Sequence, residues 1–429
     1  MLIDNVTLSD LEVLGTRAGS AGVFGLIDHT QTTPGRRALR RRLSRPLVDS
    51  SKIRDVQAAL RTLGDAAGAV QFDDHAMSAA RAYLTSNIQV VRHSGPRARL
   101  AAAWLGLRYP DQLREIREGQ AAVRLVFEQV ERACARLSSD SETLTGIVSR
   151  LAEVARAVGT ACSVGSVVEI DGILRRDLAD RIEAGLELIA ELDALNAMAI
   201  ANRAEGWSTP EVVDSSTFLL DATGAFHPFV EDPVPNPVRL DGGEPLVFLT
   251  GPNMAGKTTY LRTVGVLVLL AQTGMNVPAA SMRFAPVDAI LTSLNPVDNL
   301  KAGVSYFLAE VLRVRDAARL LAEGRRSLVL FDEVFKGTNV QDALDASRQV
   351  IEGFARSRSS GSIFSSHLTD LATAFERHPG IRLRRFDGDV VGGAPRFSYG
   401  LEPGVSEKRM GLFLLQQAGV PELLGSIRT

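Results

Sequence analysis

The stretch LVFLTGPNMAGKTTYLR, residues 246–262, decides how this chain is read. An apolar run suited to a buried strand leads into GxxxxGK[ST], filled by Gly251, Gly256, Lys257 and Thr258, and a helical pattern follows. In that context the glycines let backbone N–H groups wrap phosphates at a helix N-terminus. Residues Gly251, Pro252, Asn253, Met254, Ala255, Gly256, Lys257, Thr258 and Thr259 are therefore expected to cradle a nucleotide. Lys257 would reach the β and γ oxygens, and the Thr258 hydroxyl would ligate Mg²⁺. Further on, SLVLFDEVFKGTN is an apolar strand that ends in two acids, which puts Asp332 near the Mg²⁺ and Glu333 beside the γ-phosphate. Glu333 would then activate the attacking water, so the chemistry expected is ATP hydrolysis.

Around this motif the text alternates strand and helix. LVFLT, AILTSL, SLVLF and GSIFS are short β-rich runs, with helical stretches over 258–272 and 307–321 between them, which predicts an α/β layer domain. The proline-rich EDPVPNPVRLDGGEP, residues 231–245, is a loop leading into the first central strand. From about residue 50 to 200 the pattern is helical instead. Val123, Val126, Val130, Ala133 and Leu137 step by three and four, as do Leu178, Ile182, Leu186, Ile189, Leu192 and Leu195. The expected class is α plus α/β, with a helical domain over 1–212 and a nucleotide domain over 213–429.

Composition excludes several classes. At 429 residues with 45% hydrophobic content the chain can build two or three cores. Lysine plus arginine, 48, nearly balances aspartate plus glutamate, 50, so any basic surface is local. Two cysteines, Cys134 and Cys162, cannot make a disulfide framework or a zinc site, and the six histidines are scattered. The N-terminus, MLIDNVTLSDLEVL, has acids where a signal peptide needs bases, and no long apolar run occurs. A cytoplasmic protein without a membrane span is the expectation. Only five residues are lysines, Lys52, Lys257, Lys301, Lys336 and Lys408.

GPNMAGKTTYLR resembles the phosphate loop of the DNA mismatch repair MutS family, whose middle reads GPNM. AGVSYFLAEV (302–311) resembles the family's signature loop and helix, DEVFKGTNVQDALDAS its Walker B and D-loop region, and IFSSHLTDL its switch-histidine strand. IDNVTLSDLEVL and LIDHTQTTPGRRALRRRLSRPLVDSSKI resemble the opening of the family's core domain, and AELDALNAMAIAN its last lever helix. The resemblance implies a helical lever followed by an ATPase of the dimerising, ABC-ATPase-like kind, with ATP and Mg²⁺ held between two copies in a nucleotide-dependent homodimer. It implies that Ser305 is offered to the γ-phosphate of the other copy, that Asp342 sits at the dimer seam, and that His367 senses the γ-phosphate. His227 and Pro228 fall where the family has an HP pair, and its adenine-stacking aromatic is replaced near Val234. Tyr399 falls where relatives present a base-contacting histidine, which makes it an expected neighbour of adenine.

Departures from the family pattern bear on the biology. The core resemblance begins within the first ten residues, so no mismatch-reading domain is expected, and an FxE string, Phe229-Val230-Glu231, lies in the HP segment and is read as a coincidence. Residues 146–171 leave little space for the DNA clamp. The signature loop reads VSY, and VFKG follows the Walker B strand in place of IGRG.

Six arginines crowd PGRRALRRRLSR, and on a helix Arg37, Arg41 and Arg45 share a face that a phosphate backbone could follow. A solvated or salt-bridged helix face explains the same pattern, and no aromatic residues interleave to stack bases. Three readings of the target follow: a DNA-structure binder in repair or recombination, an ATP-gated protein scaffold, or an ATPase acting on RNA or ribosomes. The partner proteins are not named by the sequence.

Overall fold

A computed structural model of the chain describes residues 1–15, 22–91, 93–163, 165–204, 206–294, 306–391, 394–406 and 415–425. In chain order the first part comprises β1 (Leu2–Ile3), α1 (Asn5–Asp10), α2 (Gly22–Ile27), α3 (Thr33–Ser44), α4 (Ser50–Asp65) and α5 (Asp74–Leu84). It continues through α6 (Gly95–Arg108), α7 (Pro110–Cys134), α8 (Glu142–Cys162), α9 (Val167–Gly172) and α10 (Ala179–Ala201). The second part comprises β2 (Glu211–Val212), β3 (Leu219–Ala225), β4 (Asn236–Asp241), β5 (Leu246–Thr250), α11 (Lys257–Gln272), β6 (Ser281–Phe284), β7 (Ala289–Ser293) and α12 (Tyr306–Ala322). It continues with β8 (Ser327–Asp332), α13 (Val340–Phe354), β9 (Gly361–Ser365), α14 (Thr369–Phe375), β10 (Ile381–Val391) and β11 (Ala394–Pro403), and the last described element is α15 (Val420–Gly425).

The chain divides into two compact units, one formed by Met1–Val23, Ser44–Ile53 and Glu205–Thr429 and the other by Phe24–Leu43 and Arg54–Ala204. This differs from a single cut after residue 212, because the N-terminal segment folds with the α/β unit. β1 pairs in parallel with β7 at the sheet edge. Asp10 accepts from Thr292 Oγ1 at 2.7 Å and from the Leu294 N–H at 3.0 Å, both buried. Arg313 donates to Thr7 Oγ1 at 2.9 Å and to Asp4 Oδ1 at 3.1 Å. These polar groups at the N-terminus find partners on β7, just beyond it and on α12, and that chemistry outweighs sequence proximity.

The main sheet of the α/β unit runs β1-β7-β8-β9-β5-β10-β11, parallel throughout except for β11. β5, β7 and β9 are buried at every residue, as strands covered on both faces must be. Alternation sends Leu246, Phe248, Val329, Phe331 and Phe364 to one face, where they pack with Val314 and Ala317 of α12, Ala343, Ile351 and Phe354 of α13, and Leu371 and Phe375 of α14. At ~25 cal/mol per Å² each buried phenylalanine contributes roughly 2–3 kcal/mol, so this layer holds the ends of β5 and β8 at fixed spacing. α11, apolar nearly all round and buried from Val264 to Gln272, lies against β8 and β9. A smaller sheet, β2-β6-β3-β4, completes the unit.

The helical unit is built from the stripes read in the sequence. Val123, Val126, Phe127 and Val130 of α7 and Leu144, Leu151, Val154 and Val158 of α8 are all buried. α7 ends at Cys134, so Leu137 joins the core from the connection rather than from the helix. Residues 146–171, where an inserted clamp would lie, are taken up by the remainder of α8 and most of α9. Among the described residues no helix is long and apolar enough to cross a membrane.

Candidate functional site

β5 delivers the chain to the glycine-rich loop at the carboxyl end of the parallel strands, where open α/β sheets present their crevice. Gly251 (φ 151°) passes so close to β10 that an added Cβ would lie 2.7 Å from the Phe386 carbonyl oxygen. Gly256 caps α11 at φ 103°, a left-handed conformation that favours glycine. Lys257 is 5% exposed, and its Nζ donates to the carbonyls of Gly251 at 2.8 Å and Pro252 at 3.1 Å. The ammonium thus curls back over the loop. Burial pushes its pKa down, while Glu333 and Asp332 oppose that shift.

β8 brings the two acids to the same place. Thr258 Oγ1 donates to Asp332 Oδ2 at 2.5 Å, and Asp332 Oδ1 is buried without a hydrogen-bond partner. Glu333 turns out of the strand at φ 48°, with its N–H held by the Ser365 carbonyl at 2.8 Å. Three groups surround its carboxylate: Lys257 Nζ at 3.7 Å, His367 Nδ1 at 3.7 Å, and Lys336 Nζ in a close ion pair. The neighbouring His367 ring first, and then Lys336 against the opposing effect of burial, hold the Glu333 pKa at about 2. The carboxylate is therefore ionised at neutral pH.

A cavity of about 750 Å³ opens over these groups, lined by Asn253, Met254, Lys257, Thr258, Asp332 and Glu333 on one side and by His227, Val230, Val234 and Tyr399 on the other. His227 is buried, its Nε2 has no hydrogen-bond partner, and burial pushes its pKa down to about 4, which keeps the ring neutral. Tyr399, at φ 50° and 46% exposed, is held there because Asn236 Nδ2 donates to its carbonyl at 2.8 Å while Asn236 Oδ1 accepts from the Leu401 N–H at 2.6 Å. The Tyr399 ring lies 3.5 Å from where a Cβ on Gly256 would be, so it borders the glycine loop. Phe229 of the FxE string stacks edge-on against His227, a local packing contact.

Ser305 lies outside the described residues. Asp342 has a local explanation: Asn339 caps α13 by accepting from the Asp342 N–H at 2.9 Å. Arg41 and Arg42 both pair with Glu191, Arg36 pairs with Asp28 at 2.7 Å, and Arg36 and Arg40 lie over the Phe24 ring, so most of this charge is engaged within the protein. Arg37 and Arg45 are exposed and take no part in these pairs. Sequence reasoning missed Lys336 and Asn236. The signal for Lys336 was its rarity, since two of only five lysines in an arginine-rich chain meet on Glu333. Asn236 carried no signal, because its role depends on β4 and β11 approaching each other in the fold.

Fold and site together define a class: an α plus α/β protein whose sheet carries a glycine-rich strand–loop–helix turn facing a carboxylate pair. Comparison with known families matches residues 6–199 to MutS domain III and residues 247–426 to MutS domain V. Similar proteins include the DNA mismatch repair protein MutS of Aquifex pyrophilus, 32% identical over 248 residues. That of Caulobacter vibrioides is 36% identical over 263 residues and that of Staphylococcus haemolyticus 30% over 249. Each alignment covers 57% of this chain and 28% of the relative, so the match spans under a third of those proteins. The chain belongs to the MutS family.

Proposed function

We propose that this chain is a Mg²⁺-dependent ATPase whose phosphate loop, Lys257 and carboxylate pair act on ATP. The observation that carries the reading is the convergence of Lys257, Thr258, Asp332 and Glu333 on one cavity from two strands and a helix N-terminus. The donor set fits the two groups. A buried carboxylate oxygen of Asp332 without a partner, beside the Thr258 hydroxyl, is a hard-oxygen corner of the kind Mg²⁺ takes together with substrate phosphates. Among the described residues no cluster of three or more His, Cys, Asp or Glu offers a full protein cage, and Mg²⁺ in such enzymes does not use one.

In this reading the loop N–H groups and Lys257 hold the phosphates, and Mg²⁺ at Thr258 and Asp332 would neutralise charge developing on them. Glu333, ionised and turned toward the cavity, orients and polarises the attacking water. His367 and Lys336 hold that carboxylate in place, while His227, Val234 and Tyr399 border the base. His367 and Met254 lie exposed at the rim, Met254 at 70%, so a second copy offering Ser305 would complete the cage.

Glu333→Gln should lower turnover by roughly 10²–10⁴ while ATP still binds. Unchanged turnover would remove Glu333 from the chemistry, and a wild-type chain that hydrolyses no nucleotide with Mg²⁺ would overturn the reading.

The relatives are named for DNA mismatch repair, and a DNA role for this chain is proposed on that kinship. With Arg37 and Arg45 alone of the cluster outside the ion pairs and ring contacts, binding through this segment should give a log–log salt slope of about −2, against about −5 for the whole cluster. Fluorescence anisotropy at several salt concentrations, with duplex DNA, branched DNA and structured RNA, measures it. A slope near zero with every nucleic acid would favour the protein-scaffold reading.

A further inference from the structure

Glu310, in the second turn of α12, is 1% exposed, and neither of its carboxylate oxygens makes a hydrogen bond of ordinary geometry. A carboxylate so deeply buried is costly unless something nearby uses it. Its neighbours are three consecutive backbone N–H groups, those of Phe335, Lys336 and Gly337, together with the Lys336 charge. These residues form the loop that leaves β8 directly after Glu333. Two further contacts tie the loop to the start of α12. The Phe335 ring packs on Phe307 at 6.1 Å, and Gly337 approaches so closely that an added Cβ would sit 3.0 Å from Phe307 Cβ. The loop in turn carries Lys336, whose ammonium is paired with Glu333.

We infer that Glu310 is a positioning residue for Glu333: its buried carboxylate gathers the 335–337 amides, sets where Lys336 sits, and through Lys336 fixes the Glu333 carboxylate over the cavity. The inference rests on the ATPase reading for its catalytic consequence, while the tie between α12 and the loop rests on the burial of Glu310 and the packing of Phe307 against Phe335 and Gly337. α12 begins directly after Ser305, so a displacement of its first turn would reach Glu333 through Phe307, Glu310 and the loop. Burial pushes the Glu310 pKa up, and the successive N–H groups of Phe335, Gly337 and Lys336 oppose that shift by favouring the anion.

The test compares Glu310→Gln, which keeps shape and removes charge, with the wild-type chain. Hydrogen exchange at the Phe335, Lys336 and Gly337 amides should quicken about tenfold in E310Q while α13 exchanges as before. Turnover of Mg²⁺-ATP should fall about tenfold with KM within about twofold of wild type, the split expected when a catalytic group is misplaced while substrate binding is kept. Unchanged loop exchange would overturn the inference. So would a parallel fall in thermal stability, ATP affinity and turnover, which would make Glu310 a purely structural residue. If the wild type hydrolyses no ATP, the ATPase reading fails, and the exchange comparison still decides whether Glu310 grips the loop.

Discussion

Thr258 Oγ1 and Asp332 Oδ2 lie 2.5 Å apart, joining the first turn of α11 to the end of β8 and leaving Asp332 Oδ1 buried with no partner. A protein rarely leaves a buried carboxylate oxygen unsatisfied unless an ion or ligand meets it. The pair should therefore govern the Mg²⁺ dependence of nucleotide binding. In Asp332→Asn the tightening of ATP binding by Mg²⁺ should shrink by about tenfold or more. Titration of a fluorescent ATP analogue with and without Mg²⁺ measures this, and a full Mg²⁺ response in the variant would take Asp332 out of the metal site.

Phe335 sits at φ 69° yet is only 3% exposed. A side chain in the left-handed region costs about 1 kcal/mol or more, here offset by burial of the ring against Phe307. Phe335→Ala should destabilise by roughly 3–5 kcal/mol, since it opens a cavity and keeps the strain. Phe335→Gly, which removes one more carbon but relieves the strain, should be at least as stable as the alanine variant. Chemical denaturation of the two variants checks the order.

Gly35 and Asp193 oppose the usual rule for glycine in helices. A Cβ on Gly35 would lie 2.0 Å from Asp193 Oδ2, which accepts from the Thr32 N–H at 2.9 Å and Thr32 Oγ1 at 2.7 Å at the start of α3. Gly35→Ala should cost about 1–3 kcal/mol through overpacking. Gly146→Ala in α8, where nothing stands within 4 Å, should gain about 0.5–1 kcal/mol. Thermal melts of the two variants should move in opposite directions.

Asp4 supplies a pH dependence. Burial pushes its pKa up, but hydrogen bonds from Arg313 and Thr7 outweigh that and leave it below the ordinary value of 3.8. A carboxylate with a depressed folded-state pKa stabilises the fold above the unfolded value and loses that contribution as pH falls through the folded one. Wild type should be more stable than Asp4→Asn from neutral pH down to about pH 4, and the difference should vanish on further acidification. A gap that persists at about pH 2, below the usual carboxylate range, would mean that the ion pair with Arg313 is not its source.

The sequence by itself determined the strands and helices that bear the site, because their apolar periods and the glycine spacing are local properties of the chain. GPNMAGKTT and the acids after SLVLF marked Lys257, Thr258, Asp332 and Glu333, and the structure brings those four to one cavity. Tertiary structure decided what depends on distant segments. The N-terminal residues belong to the α/β unit because Asp10 finds its donors on β7 and just beyond it. Arg41 and Arg42 share one carboxylate because Glu191 of α10 stands beside α3. Lys336 reaches Glu333 only because the backbone turns at Glu333 and Phe335 through positive φ, a conformation no side-chain pattern announces. Spacing in a sequence reports neighbours along the chain; burial and charge pairing are set by neighbours in space.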